Sequence, residues 1–273
     1  MADGADGSDR GAGLEGRRVL VTGGAQGVGA CLAADIVERG GRVVIGDIQS
    51  GRAAEVAERI GDAAAACALD VTDAESWAGA VEFALEVMGG LDALVNNAAI
   101  LHLGPLEDMR PGHIEALIGV NLVGPTLGVR AVAPTLRAAG GGSIVNISSV
   151  AGLEGRNATI AYTASKWGVR GLTRAAAVEY GRDGIRVNAV CPSMGNPEMF
   201  APFLDQFDID RFMGGSPQPK LHVDGVPRET EMTDVSAMVC WLLSDEARRC
   251  TGADFVVDAG WTAGTFAPGM PGF

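Results

Sequence analysis

Short, nearly unbroken apolar runs recur along the chain, separated by longer segments of mixed polarity. The runs are R-R-V-L-V-T (17–22), R-V-V-I-G-D (42–47), A-C-A-L-D-V (66–71), L-D-A-L-V-N-N (91–97), S-I-V-N-I-S-S (143–149), I-R-V-N-A-V (185–190) and D-F-V-V-D (254–258). Continuously apolar strands, as opposed to alternating ones, belong to parallel sheets covered on both faces. Helix-length segments, among them 28–39, 74–88, 114–139 and 161–180, lie between the runs. This rhythm predicts a single doubly wound, Rossmann-type α/β domain over residues 14–273, with no linker between halves. Residues 1–13 are acidic and Gly-rich with no apolar core, which predicts a flexible tail and not a secretory leader.

One stretch breaks the rhythm. From 193 to 230 the chain carries Met194, Met199, Phe200, Phe203, Phe207, Phe212 and Met213, then a Gly/Pro-rich half. Open α/β sheets hold ligands beyond the carboxyl ends of their strands, so a lid over a substrate is expected here; the alternative is a surface helix pair.

Composition narrows the class. Of 273 residues, 47 % are apolar and 20 % charged, as a globular core requires. A formal net charge of −13 argues against nucleic acid or anionic membrane as partners. No uninterrupted apolar run approaches the roughly 18 residues of a membrane span. The five cysteines (31, 67, 191, 240, 250) are odd in number and lack C-x-x-C spacing, so a reduced, cytoplasmic protein is expected. The histidines (102, 113, 222) have no paired spacing, and no metal site is expected.

Two motifs carry chemistry. In V-L-V-T-G-G-A-Q-G-V-G-A, Gly23, Gly27 and Gly29 stand between a strand and a helix, with Gln26 and Val28 among them. Glycines there permit a tight turn and let backbone N–H groups reach a pyrophosphate at the helix N-terminus. Asp47 ends the next strand, about 20 residues on, where a carboxylate accepts from both ribose hydroxyls and repels a 2′-phosphate. With no Arg or Lys inside the glycine loop, NAD is expected over NADP. The alternative for Asp47 is a helix cap.

The second motif is I-A-Y-T-A-S-K-W at 160–167. The chain has two tyrosines and two lysines, yet Tyr162 and Lys166 stand four apart, on one helical face. A neighbouring ammonium and an oxidised nicotinamide would lower a phenol pKa of roughly 10 by about one to three units, toward a working general base. Ser149, thirteen residues upstream at a strand end, is placed to hydrogen-bond a substrate oxygen, or else to cap a turn.

With these residues, N-N-A-A at 96–99, V-N-L-V-G around Asn121 and R-V-N-A-V-C-P at 186–192, the chain over about 15–262 resembles the short-chain dehydrogenase/reductase family. Within it, I-S-S-V-A-G-L-E-G, Y-T-A-S-K-W-G-V-R-G-L-T and D-F-V-V-D-A-G-W are similar to bacterial hydroxysteroid and secondary-alcohol dehydrogenases. The resemblance implies a seven-stranded parallel sheet and a nicotinamide cofactor. It makes Tyr162 the acid/base, Ser149 the group that orients the substrate oxygen, and Lys166 the residue that tunes the phenol and holds ribose. Asn121 would support a water-linked proton relay. Further cofactor contacts would fall on Ile48, Asp70, Val71, Asn97, Ala98, Pro192, Met194 and Asn196. The chain departs from the family pattern at Ala99, Ser193 and Asn196, which stand where glycine, glycine and threonine are usual.

The expected activity is interconversion of a bulky apolar secondary alcohol (hydroxysteroid, terpenoid or cyclic) with its ketone, using NAD. The rivals are an NADPH-dependent ketoreductase of the same fold and a non-catalytic NAD-binding sensor or scaffold. The resemblance also implies a homo-oligomer, tetramer or dimer. The tail from Trp261 to Phe273 is expected at a subunit contact or over a neighbouring pocket, against simple fraying.

Overall fold

The computed structural model describes residues 13–193, 197–203 and 230–264. Seven parallel strands form one sheet in the order β3-β2-β1-β4-β5-β6-β7. They are β1 (Arg18–Thr22), β2 (Arg42–Asp47), β3 (Ala64–Ala68), β4 (Ala93–Asn96), β5 (Gly142–Ile147), β6 (Ile185–Pro192) and β7 (Asp254–Val257). The chain winds outward from β1 to β3, then returns and winds the other way from β4. The carboxyl ends of β1 and β4 therefore flank the switch point at which such sheets bind ligands.

Period-two alternation assigns each strand residue to a layer. Val19 and Val21 of β1 face one side, with Val43, Ile45, Val95 and Val145. That side is covered by α1 (Gly27–Glu38), α2 (Ser50–Ile60) and, in sequence order well beyond them, Met232–Leu243. Leu20, Val44, Leu94, Ile144 and Val187 face the other layer. There they meet α3 (Ala74–Met88), α5 (Gly124–Ala138) and α6 (Ile160–Tyr180). The short α4 (Pro111–Ile118) leads into α5, and α7 (Pro197–Phe200) precedes the Met232–Leu243 helix, here α8.

All seven strands lie within two to three residues of the apolar runs, with one clear displacement. β3 ends at Ala68, and the expected 66–71 run continues past it. Its alanines pair with Val43–Asp47 through the last register pair Asp47↔Ala68, after which Leu69, Asp70 and Val71 leave the ladder. Alanine gives little apolar contrast, so the larger Leu and Val just outside drew the boundary too late.

The expected helix over 114–139 starts earlier and contains a π turn, Gly119–Val123, between α4 and α5. The whole Pro111–Ala138 helix is long and apolar enough to cross a membrane by length and composition, although no uninterrupted apolar run suggested one. Val129, Val132, Ala133 and Leu136 bury one face of it, packed with the sheet's core as in any central helix of an α/β fold.

Most of the expected lid, including Met194, Asn196, Phe207, Phe212 and Met213, lies outside the described residues, as do the N-terminal tail up to residue 12 and Phe266 and Phe273. The two ends of the 193–230 excursion meet. The Ser193 and Thr230 hydroxyls are 2.8 Å apart, and Ser193 N–H donates to the Val257 carbonyl at 3.0 Å.

Candidate active site

The β1–α1 turn is shaped by close backbone approach. A Cβ on Gly23, where φ is +66°, would stand 2.6 Å from Ala98 Cα; one on Gly29 would stand 2.3 Å from the Gly23 carbonyl oxygen and 2.6 Å from Asn97 Nδ2. Asn97 fastens this turn to β4, its Nδ2 donating to the Thr22 and Gly23 carbonyls at 2.9 Å each. The Thr22 hydroxyl accepts in return from the Asn97 and Ala98 amides at 3.0 Å. Gln26 is the N-cap of α1 yet offers no side-chain cap, and the first turn holds no acidic residue. The N–H groups of that turn are thus presented to an anion, as a pyrophosphate requires.

Asp47 is buried, and two amides fix its carboxylate: Ala25 N–H to Oδ2 and Gln49 N–H to Oδ1, both at 2.9 Å. The N-cap of α2 is Gln49, so Asp47 is not that helix's cap. Ile48 beside it is exposed at the same edge. Asp70 accepts from the Thr72 amide and hydroxyl, and these bonds hold its carboxyl below the usual range. Val71 accepts from the buried Trp77 indole at 2.9 Å. The glycine loop lacks a cation in sequence, but the fold supplies one. Arg52, from the first turn of α2, donates to the Gln26 side chain and reaches Glu198 of α7 at 3.2 Å.

On the other side of the switch point, Ser148 and Ser149 follow the end of β5, and α6 presents Tyr162 and Lys166. Ser149 takes the alternative role, its oxygen accepting from the Ala151 amide at 3.1 Å and capping the Val150–Gly152 turn, while its side chain also hydrogen-bonds the Tyr162 phenol, beside which a substrate oxygen would lie. Lys166 is buried; its Nζ donates to the Ile147 carbonyl at 2.9 Å and lies 5.5 Å from the centre of the Tyr162 ring.

The pKa expectation for the phenol is reversed in this state. Burial pushes Tyr162 up to about 12, with the Ser149 hydrogen bond opposing, and pushes Lys166 down to about 8. Desolvation penalises both charged forms and is the largest cause of each shift. The phenol ring opens onto a cavity and is only partly covered, so its upward shift is the more readily undone when charge arrives there.

Asn121 sits in the π turn with its side chain fully engaged. Its Oδ1 accepts from the Ile100 amide at 2.8 Å, and its Nδ2 donates to the Ile100 carbonyl at 2.9 Å and the Ser165 hydroxyl at 3.2 Å. The side chain thus holds the β4 loop to α6 instead of facing the reacting centre.

One cavity of about 410 Å³ joins both halves. Gly23, Gln26, Val28, Asp47, Ile48, Asp70, Val71, Asn97, Ala98 and Pro192 line it, together with Ser149, Tyr162 and Lys166. Gly27 and Gly29 shape the turn but do not line the cavity among the described residues. Sequence reasoning missed several other walls: Ile100, Leu101 and Leu103 after β4, and Arg156 and Thr159 before α6; Trp261 after β7, expected over a pocket or at a subunit contact, lines this cavity. Also missed was the polar ladder beneath them. Asn96 donates to Asn146 at 2.8 Å, and Asn146 donates to Thr173 at 2.9 Å, across β4, β5 and α6. The Asn96↔Asn146 register that makes this ladder is a tertiary fact.

A doubly wound sheet with an anion-ready glycine turn, a fixed carboxylate at the end of β2 and a Ser–Tyr–Lys cluster in one cavity is the frame of a dinucleotide-dependent oxidoreductase. The short chain dehydrogenase family model matches residues 17–207. The chain belongs to the short-chain dehydrogenase/reductase family, whose members bind a nicotinamide cofactor and act on CH–OH donors. It is 42 % identical over 251 residues to 3-alpha-(or 20-beta)-hydroxysteroid dehydrogenase of Mycobacterium tuberculosis, covering 92 % of this chain and 91 % of that protein. It is 39 % identical over 254 residues to trans-4-hydroxycyclohexanecarboxylate dehydrogenase of Sinomonas cyclohexanicum, covering 90 % and 92 %. The crystal structure of a 3-ketoacyl-(acyl-carrier-protein) reductase from Brucella melitensis complexed with NADH superposes with a TM-score of 0.80 at 32 % identity, covering 91 % of this chain and 99 % of that one.

Proposed function

We propose that the protein is an NAD(H)-dependent dehydrogenase that interconverts a bulky, apolar alicyclic secondary alcohol and its ketone. The observation that carries this reading is the continuity of the cavity from Asp47 to Tyr162, walled on the substrate side by Leu101, Leu103, Val150, Met199 and Phe200. A hydroxysteroid and a hydroxycyclohexane derivative are named as substrates of the relatives above, and both are alicyclic alcohols of this kind.

The nicotinamide, when bound, accepts or returns the hydride at the carbinol carbon. Ser149 hydrogen-bonds the carbinol oxygen and Tyr162 Oη takes its proton, so that the C–O bond becomes a carbonyl as the hydride departs. In reduction the same phenol returns the proton. Lys166 stands beneath the phenol, where its ammonium favours the phenolate once the ribose hydroxyls and the cofactor's positive charge share its environment. Because the Asn121 side chain is engaged with Ile100 and Ser165, its part in a proton relay falls to its backbone.

NAD preference rests on Asp47, whose fixed carboxylate meets the adenosine ribose. A second reading, NADPH-dependent ketone reduction, is favoured by Arg52 beside Gln26, where a guanidinium could take a 2′-phosphate. Turnover with NAD and NADP over a panel of steroid, terpene and cyclic alcohols separates them. We expect NAD to be preferred at least tenfold and Asp47→Ala to erase the preference; a strong NADP preference in the native enzyme would overturn the cofactor assignment. A catalytically silent sensor would show cofactor binding with no turnover of any alcohol. Self-association is proposed through the outer faces of the π turn before α5 and of α6, where Val123, Ile160, Trp167 and Val178 are exposed. A reducing, cytoplasmic setting is proposed on the same terms as before, all five cysteines being unpaired.

A further inference from the structure

Three side chains on the substrate side of the cavity have no part in the chemistry above: Glu154, Arg156 and Trp261. The sheet order places them far from the adenosine end. Asp47 ends β2 and Asp70 follows β3 toward one edge, while Trp261 follows β7 at the other. Arg156 and Trp261 both line the cavity.

Arg156 is held in place on two sides. Glu154 Oε1 accepts from its Nε, at 2.9 Å, and from its Nη2. The guanidinium carbon lies 4.4 Å from the centre of the Trp261 ring, and the indole Nε1–H donates to the same Glu154 oxygen at 3.1 Å. Trp261 is itself set by a turn built on Asp258, which accepts from the Gly260 amide at 2.8 Å, the Thr262 amide at 2.8 Å and the Thr262 hydroxyl at 2.6 Å. A guanidinium has five N–H donors. Two go to Glu154, and among the described residues no side-chain or backbone acceptor takes the others.

We propose that Arg156 is a specificity-determining residue that donates a hydrogen bond to a second, uncharged oxygen of the substrate, a ketone or hydroxyl other than the reacting one. This deepens the alicyclic-alcohol reading and rests on it. Two features select a neutral oxygen. Glu154 already balances the guanidinium charge, so a substrate carboxylate would meet a like charge beside its partner. Much of the substrate-side wall, from Leu101, Leu103, Val150, Met199 and Phe200, is apolar, so a hydrocarbon there would leave the fixed donor edge without an acceptor. Preorganisation by Trp261 and Glu154 spares the entropy of ordering a long side chain on binding.

The test uses three 3-hydroxysteroids that differ only at C17: a ketone, its deoxo hydrocarbon and a carboxylate. Binding to the enzyme–nicotinamide cofactor complex is followed by cofactor fluorescence, and oxidation by absorbance. The native enzyme is expected to favour the ketone over the hydrocarbon by roughly tenfold in Kd and KM, the size of one hydrogen bond to a charged donor, and to disfavour the carboxylate. In Arg156→Met the ketone-to-hydrocarbon ratio falls to about one, and Arg156→Lys, which keeps the charge but loses the fork, gives an intermediate ratio. Glu154→Gln improves the carboxylate relative to the ketone. Equal binding of ketone and hydrocarbon by the native enzyme overturns the proposal. So does an unchanged ratio in the variants, which would make Arg156 a packing residue only. If binding discriminates but no alcohol is oxidised, the dehydrogenase reading fails while this one stands.

Discussion

The two ends of the cavity are built by different means. On the cofactor side, the decisive contacts are between backbones: Gly23 against Ala98, Gly29 against Gly23, and two amides on Asp47. On the substrate side they are between side chains delivered from distant elements: Ser149 from the turn after β5, Tyr162 and Lys166 from α6, Trp261 from beyond β7. A backbone-built site can accept few substitutions, because almost any Cβ collides. A side-chain-built site can lose a functional atom and keep its shape, so chemistry and stability separate there.

Removal of the phenol oxygen gives the largest expected effect. Tyr162→Phe keeps the ring and its packing, and should lower kcat for alcohol oxidation by about 10²–10⁴, the usual worth of a general base. Cofactor affinity, measured by fluorescence titration, should change less than about threefold, since no contact on the Asp47 side is altered. A retained kcat would show that another group moves the proton.

Lys166 tests the same side through pH. Its folded pKa, about 8, is below its ordinary value of 10.5. Between those values the unfolded chain holds a proton that the native chain does not, so this group's contribution to stability rises with pH. It is fully present above 10.5 and lost as pH falls toward 8. Lys166→Met removes the titration while filling the same space. The stability of the native protein relative to this variant should therefore climb by an amount on the order of 3 kcal/mol across that window, read from urea midpoints. A constant difference would mean that Lys166 is solvated in the folded state.

The cofactor side should respond in the opposite manner, with shape lost along with function. A methyl at Gly29 meets the Gly23 carbonyl and Asn97 Nδ2, neither of which is the free end of a flexible chain. Gly29→Ala is expected to cost about 2 kcal/mol of stability, as overpacking does, and to weaken cofactor binding in parallel. Normal stability with weak cofactor binding would show that the turn relaxes, and would blur the contrast between the two ends.

That contrast also explains what could be read from sequence. Backbone requirements leave glycines at fixed offsets, and strand ends leave apolar runs, so the cofactor turn, Asp47 and six of the seven strands were legible. Tyr162, Lys166 and Ser149 were legible because they lie within eighteen residues of each other on adjoining elements. Arg156 and Trp261 are about a hundred residues apart, and only the return of β7 alongside β6 brings them together. Arg52 was likewise hidden: nothing in its local sequence says that α2 turns it toward Gln26. The upward shift of the phenol without cofactor was not legible, because neighbours can be listed from sequence, whereas the depth of burial cannot.

The smallest expected effect lies where the substrate side does use its backbone. Ala158 has φ of +61°, a left-handed conformation that costs a non-glycine residue roughly 1–2 kcal/mol. Its carbonyl accepts from Gly104 N–H at 3.0 Å, tying the chain before α6 to the loop that carries Leu101 and Leu103. It stands between Arg156 and Thr159, both on the cavity wall. Ala158→Gly removes the strain but adds about 0.4–1 kcal/mol of unfolded-state entropy to be lost on folding. The net gain should be about 0.5 kcal/mol, a rise of about 1 °C in melting temperature for a chain of this size. If stability falls instead, the methyl group contributes packing that exceeds the strain, and this short backbone-built part of the substrate wall is as intolerant of change as the glycine turn across the cavity.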